Sequence, residues 1–340
     1  MIAGLSSALA LSIGIMQVHE LPPLPEAIAG QLVGTVGDVM VVAGGSRWTA
    51  PPDQGGIKVF DDRILALSPD QTHWQQVARL PQPLAYGGAA SLKHSLVLAG
   101  GLDDAKALRS VWALENQKKG YQLTRWPDLP TPMINFSMAI AGDRVYVFGG
   151  QESKDSPASA HLWSLALDAD EHPTSSWHEE APLPGDGRIL AAAAGCRNQL
   201  YILGGASLAP SSEGTLTRHY VRQAWSFSPT NGWVRLPDLP AASVAAPAVC
   251  DAQNNVLLLG GDDGHMAGVV LKPGEKHPGF SHTVLRYNSI TKTWDIAGQL
   301  PVGLVTTGAG VWKHGRIVIP GGEDRPGSRS NRVLELSFHK

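Results

Sequence analysis

The sequence predicts an all-β fold wound into six propeller blades, on three observations. A Gly-Gly pair ending a short apolar run occurs six times: Gly44-Gly45, Gly100-Gly101, Gly149-Gly150, Gly204-Gly205, Gly260-Gly261 and Gly321-Gly322. Leu-Pro recurs in the same phase, at Leu24-Pro25, Leu80-Pro81, Leu129-Pro130, Leu183-Pro184, Leu239-Pro240 and Leu300-Pro301. A tryptophan (Trp74, Trp126, Trp177, Trp233, Trp294) stands three to six residues before five of these. Independent marks on one beat define a repeat, and a period near ~50 residues belongs to propeller blades of the kelch kind.

Each interval reads as four strands. The first follows Leu-Pro, the second is the apolar run into Gly-Gly, the third alternates apolar and polar residues, and the last carries the Trp. In the third repeat these are residues 135–141, 144–148, 161–167 and 177–181, with Ala141-Gly142-Asp143 as the hairpin turn. The sixth repeat ends after residues 332–338 without a Trp strand, and Met16–Leu21 precedes Leu24-Pro25 as the Trp strands precede theirs. The N-terminal strand is therefore expected to complete the last blade, which closes the ring and removes an exposed sheet edge. One body over 14–340 follows, a six-bladed kelch-type β-propeller.

Of the 340 residues, 38 are Gly, 25 Pro and only 17% charged, as short strands and tight turns require. A net charge of −3 gives no electrostatic reason to expect nucleic acid or a membrane surface as partner. Segment 1–13 is read as signal-like or disordered: it is apolar and small, has no preceding Lys or Arg, and is too short to cross a bilayer. Export to the periplasm or beyond is one expectation, a cytoplasmic chain with an apolar start the other. Cys196 and Cys250 share a phase in adjacent repeats; they are read as small buried thiols, with pairing left open.

Strand direction puts the loops after Gly-Gly and the loops from Leu-Pro into the next blade on one face, around the channel mouth. Function is sought there. The sixth such loop, Gly322-Glu323-Asp324-Arg325-Pro326-Gly327-Ser328-Arg329, sets a carboxylate at a strand end and returns an arginine through a Pro-Gly turn. The fifth is long and polar, from Asp262-Asp263-Gly264-His265 to His277-Pro278-Gly279-Phe280, and the first is long too, from Ser46-Arg47-Trp48 to Lys58-Val59.

Ile317-Val318-Ile319-Pro320-Gly321-Gly322-Glu323 with Pro326-Gly327-Ser328-Arg329 resembles the Gly-Glu-x-x-Pro-Gly-x-Arg signature of bacterial N-acetylneuraminate epimerases, the sialic acid mutarotases. The Gly261-Asp262-Asp263-Gly264, His277–Phe280 and Gly55–Asp62 stretches are similar to a cyclically permuted branch of that family. The resemblance implies interconversion of the α and β anomers of N-acetylneuraminate, an acidic sugar, and so a small-molecule partner; no cofactor is expected, and no metal either, since no His or carboxylate pair has zinc or calcium spacing. Glu323 is then the acid-base group and Arg329 the residue that holds the substrate carboxylate through paired hydrogen bonds. Arg47 and Arg188 stand on the same face as added charge. Tyr86, Asn135 and Thr307 occupy channel-side strand starts and suit the sugar's polar groups. His277, Asp262 and Asp263 complete the substrate-binding candidates, Asp262 and Asp263 also as second acids or turn formers.

Bland alternatives stand beside these readings: a structural Glu323–Arg pair, residues that only line a wet channel, and a His-Pro-Gly loop whose imidazole bonds backbone. A propeller of this type can instead hold a protein partner, or bind or convert another acidic sugar, and a homodimer is left open. A copper oxidase is disfavoured, because both cysteines fall at the turn between first and second strands, on the opposite face.

Overall fold

The computed structural model describes residues 15–210, 215–272 and 275–339; the 1–13 segment lies outside them. Six four-stranded antiparallel sheets follow one another around an axis. From the axis outward, blade 1 is Leu32–Val36, Val39–Ala43, Arg63–Leu67 and Gln75–Arg79, and blade 3 is Ser137–Ala141, Arg144–Phe148, Leu162–Ala166 and His178–Glu180. Blades 2, 4 and 5 repeat the plan, with innermost strands Gly88–Ser91, Ala192–Cys196 and Ala248–Cys250. Blade 6 takes Gly310–Trp312, Arg316–Arg325 and Ser328–His339 from the C-terminal end and Ile15–Glu20 from the N-terminal end. The closing strand runs antiparallel in register from Ile15 opposite His339 to Glu20 opposite Leu334.

The repeating marks each have a mechanical cause. Second strands are packed on both faces by neighbouring blades, so Val39–Ala43, Ser95–Ala99 and their counterparts are continuous apolar runs rather than alternating ones. The second glycine of a pair donates its N–H to a carbonyl just after the next blade's Leu-Pro: Gly45 to Leu84, Gly101 to Met133, Gly150 to Arg188, Gly205 to Ser243 and Gly322 to Ile28. Gly-Gly and Leu-Pro are thus two ends of one inter-blade bond. The first glycine has no room for a side chain; at Gly44 (φ +63°) a Cβ would lie 2.5 Å from the Leu84 carbonyl. Tryptophan Nε1 atoms tie outer strands to the preceding blade, Trp74 to the Pro22 carbonyl (2.9 Å), Trp177 to Pro127 (3.0 Å), Trp233 to Ala181 (2.8 Å) and Trp294 to Pro237 (2.9 Å).

Around the axis, six residues at the blade entrances form a closed hydrogen-bonded circle. Tyr86 N–H donates to Gly30, Asn135 to Tyr86, Leu190 to Asn135, Ala245 to Leu190, Thr306 to Ala245 and Gly30 to Thr306, at 2.7–3.0 Å. All six have left-handed backbone, φ between 54° and 71°. For the five non-glycine members that conformation costs on the order of 1 kcal/mol each, so the circle's bonds hold them there. It fixes the mouth of the channel as a rigid rim. Below it, Gly and Ala of the innermost strands crowd together around a narrow tunnel of about 170 Å³.

Cys196 and Cys250 form a disulfide that joins the innermost strands of blades 4 and 5 at the face opposite the rim. They are a bridged pair and not two small thiols, which decides the pairing that the sequence leaves open: adjacent blades bring the two like-phased positions to a Cα separation of 5.4 Å, within bonding reach. Closing a loop of 54 residues stabilises by about 4 kcal/mol in the chain-entropy account. The Cys196→Ala/Cys250→Ala variant is expected to lose most of that, read as a lower guanidinium midpoint that reductant no longer changes. An unchanged midpoint would show the bridge is mechanically idle.

Candidate functional site

The residue directly after each Gly-Gly pair forms a small bridge with the residue before the rim circle, in all six blades: Ser46 with Ala29, Leu102 with Ala85, Gln151 with Ile134, Ala206 with Ile189, Asp262 with Val244 and Glu323 with Val305. That bridge pins six equivalent positions around the axis. Four are neutral; the two acids fall in adjacent blades 5 and 6. Above them opens a cleft of about 470 Å³, the size of a small-molecule site.

Glu323 lines the cleft, and its partner Arg329 lies behind it, related by the antiparallel pairing of the two strands that flank the Pro326-Gly327 turn. Arg329 Nη1 is hydrogen-bonded to Glu323 Oε1. The arginine's other donors reach Ser46, Nε to the carbonyl and Nη2 to Oγ, both at 3.3 Å, and its guanidinium lies over the Trp48 ring at 5.7 Å. Arg329 is 5% exposed and Glu323 17%. Burial pushes the Glu323 carboxyl above its ordinary range, outweighing the pull of Arg329, the Gly327 N–H and Lys58. A carboxyl so placed holds a proton more readily than a surface glutamate and remains within reach of a ligand.

The network continues around the rim. Ser46 Oγ also meets the Tyr86 hydroxyl at 3.1 Å, and Lys58 Nζ sits 4.5 Å from the centre of the Tyr86 ring. Lys58 arrives on the hairpin Ser46–Trp48/Lys58–Phe60, a product of the long first loop. Across the cleft, Asp262 accepts a hydrogen bond from the Tyr220 hydroxyl at Oδ2 (2.8 Å) and from the Gly264 N–H at Oδ1 (3.0 Å). Tyr220 and Arg218 come from a hairpin in the fourth loop, Ala206–Pro210 with Leu216–Tyr220. Lys154, from the third loop, adds a further cation to the wall. Among the described residues none of Lys58, Lys154 and Arg218 forms an ion pair, so three positive charges face a cleft whose acids are Asp262 and Glu323.

Of the sequence-predicted residues, Glu323, Tyr86, Asn135 and Asp262 share this cleft, while Thr307 sits just below, lining the tunnel. Thr307 Oγ1 accepts from Gln31 Nε2 (2.9 Å) and donates to the Pro320 carbonyl (2.7 Å). The others are placed elsewhere. Arg188 is 2% exposed, its guanidinium folded onto the carbonyls of Gly204 and Gln223 and the Gln223 side chain, and burial lowers it to about 10. It braces blade 4 from inside, where no ligand reaches. Arg47 turns outward to Glu26 (2.9 Å), Asp263 is held by His265 (2.5 Å), and His277 Nδ1 accepts the Gly279 N–H (3.1 Å) within its own loop. Lys58, Lys154, Arg218 and Tyr220 were missed as site residues. The long first loop signalled Lys58; the polar alternation of Leu216–Tyr220 in an extended fourth loop was the available sign for the last two.

No family model matches the chain. Among curated proteins it is 26% identical over 235 residues to the N-acetylneuraminate epimerase of Haemophilus influenzae strain 86-028NP, covering 63% of this chain and 59% of that protein. It is 33% identical over 117 residues, 29% of each chain, to the N-acetylneuraminate epimerase of Brucella suis, and 26% identical over 84% of its own length to Kelch-like protein 36 of Bos taurus, of which it spans 42%. The chain spans less than two thirds of the length of each of these relatives. The solved structure of YjhT superposes with a TM-score of 0.67 at 16% identity, covering 94% of this chain and 99% of that one, and shares the fold.

Proposed function

We propose that this propeller is a mutarotase, interconverting the α and β anomers of N-acetylneuraminate or a closely related acidic sugar. The observation that carries the reading is Glu323: a carboxyl raised by burial, oriented by Arg329, on the wall of a cleft with three cations. Relatives named N-acetylneuraminate epimerase support it. Ring opening removes the proton of the anomeric hydroxyl and delivers one to the ring oxygen; reclosure on the other carbonyl face reverses both transfers. Glu323 exchanges one of these protons with the sugar, and Arg329 holds its carboxyl in place. Because Arg329 is buried and occupied, the sugar's carboxylate meets Lys58, Lys154 and Arg218 instead. Tyr86 and Asn135 at the rim receive hydroxyl and amide groups.

The Cys196–Cys250 disulfide supports an oxidising compartment, the periplasm or the cell exterior, as the place of action.

Calorimetry with N-acetylneuraminate and its methyl ester tests the ligand class. The acid is expected to bind at least ~10-fold tighter, equivalent to ~1.4 kcal/mol, with a preference that shrinks as salt screens the cations. Equal binding of both, or of neither, contradicts an anionic sugar. The likeness to Kelch-like protein 36 favours a second reading, a protein-binding face, which predicts neither.

A further inference from the structure

Opening a sugar ring moves two protons, one off the anomeric hydroxyl and one onto the ring oxygen, and a lone carboxyl serves only one of them at a time. The pseudo-sixfold symmetry supplies a second carboxyl. Asp262 and Glu323 are the residues after the Gly-Gly pairs of adjacent blades, held by the same backbone bridge and related by one blade step around the axis. Both line the cleft, and no other of the six equivalent positions carries an acid.

Asp262 does not stand alone. Tyr220 crosses from the fourth-loop hairpin to place its hydroxyl 2.8 Å from Asp262 Oδ2 and itself lines the cleft. Both partners are fixed. The Gly264 N–H holds the other carboxylate oxygen, and the Gly264 backbone lies flat against the tyrosine ring, where a Cβ would come 2.7 Å from ring Cγ. With its hydrogen given to Asp262, the Tyr220 oxygen keeps lone pairs that can accept from a group in the cleft it lines.

Resting on the mutarotase reading, we infer that Tyr220 and Asp262 form the second proton-transfer arm, a relay opposite Glu323. In ring opening the Tyr220 oxygen takes the anomeric hydroxyl proton as the Tyr220 proton passes to Asp262. The O–H electron pair becomes the second bond of the C=O, the bond from the anomeric carbon to the ring oxygen breaks with its pair on that oxygen, and Glu323 protonates it. The sugar is unchanged in composition; one proton has moved from Glu323 to Asp262, and reclosure returns it. Burial and the Asp262 carboxylate push the Tyr220 hydroxyl up to about 12, which keeps it protonated between turnovers and suits it to relaying a proton rather than storing a charge.

The experiment is anomerisation kinetics of N-acetylneuraminate with the parent, Tyr220→Phe, Asp262→Asn and the double variant, alongside their melting temperatures. Tyr220→Phe keeps the ring and removes only the oxygen. It is expected to lower kcat on the order of 10²-fold with KM within about threefold and an unchanged melting temperature. The double variant should be no slower than the slower single, as for one relay, and the solvent deuterium effect on kcat should fall in Tyr220→Phe. An active parent with Tyr220→Phe above half its kcat, or with losses in the two singles that multiply, overturns the relay alone. A parent no faster than buffer overturns the relay and the mutarotase reading together.

Discussion

Glu323→Gln is expected to lower the catalysed anomerisation rate by on the order of 10²- to 10⁴-fold, the range of a positioned acid-base group, while sugar affinity stays within a few-fold. Glutamine has the shape of glutamate and its amide oxygen accepts the Arg329 hydrogen bond, so the loop geometry survives. What it lacks is a transferable proton. Glu323→Ala is a poorer probe: it leaves the guanidinium of a 5% exposed Arg329 without the acceptor that glutamine keeps, and an unsatisfied buried donor costs roughly 1–3 kcal/mol of stability, more for a charged group. Loss of activity in the alanine variant would then mix chemistry with folding. Rate by anomer-resolved NMR and affinity by calorimetry on the glutamine variant separate the two, and a glutamine variant with parental rate removes Glu323 from the chemistry.

The second large effect is structural. Removing residues 1–20 deletes Ile15–Glu20 and leaves the long strand Ser328–His339 with an unpaired edge. Met16 and Val18 leave the cluster they share with Leu334, Leu336 and Ile317. Two partly buried apolar side chains at up to roughly 1.5–3 kcal/mol each, with ladder bonds at about 1 kcal/mol apiece, amount to a large share of the stability of a typical domain, about 5–15 kcal/mol. The ring closure is lost with them, and an open edge pairs with other chains. The truncated chain is expected to aggregate or to melt far below the parent by circular dichroism. A monomeric truncated chain melting within a few degrees of the parent would mean that the strand only decorates blade 6.

The fold was legible because its marks are forced. Gly-Gly and Leu-Pro recur in phase because one glycine's N–H must reach a carbonyl beside the next Leu-Pro, and that bond is made in blade after blade. The shared fourth strand followed from a missing Trp strand at one end and a surplus strand at the other. The site was legible only where it coincides with that frame. Tyr86 and Asn135 belong to the rim circle and Glu323 and Asp262 follow Gly-Gly, so their places are set by the repeat. Arg188 shows the limit: it sits next to the same frame, but whether a guanidinium folds inward onto Gly204 and Gln223 or outward to a ligand depends on packing between blades. Tyr220 and Arg218 were hidden for the opposite reason, since the direction in which a long hairpin leans over the axis is fixed by its neighbours and not by its own residues.

The most direct measurement is one-dimensional proton NMR of α-N-acetylneuraminate freshly released by a sialidase, following the anomer ratio with and without this protein and with Glu323→Gln. Faster approach to the same β-rich equilibrium is expected with the parent, and the buffer rate with the variant. A folded parent that leaves the rate at that of buffer contradicts the mutarotase reading.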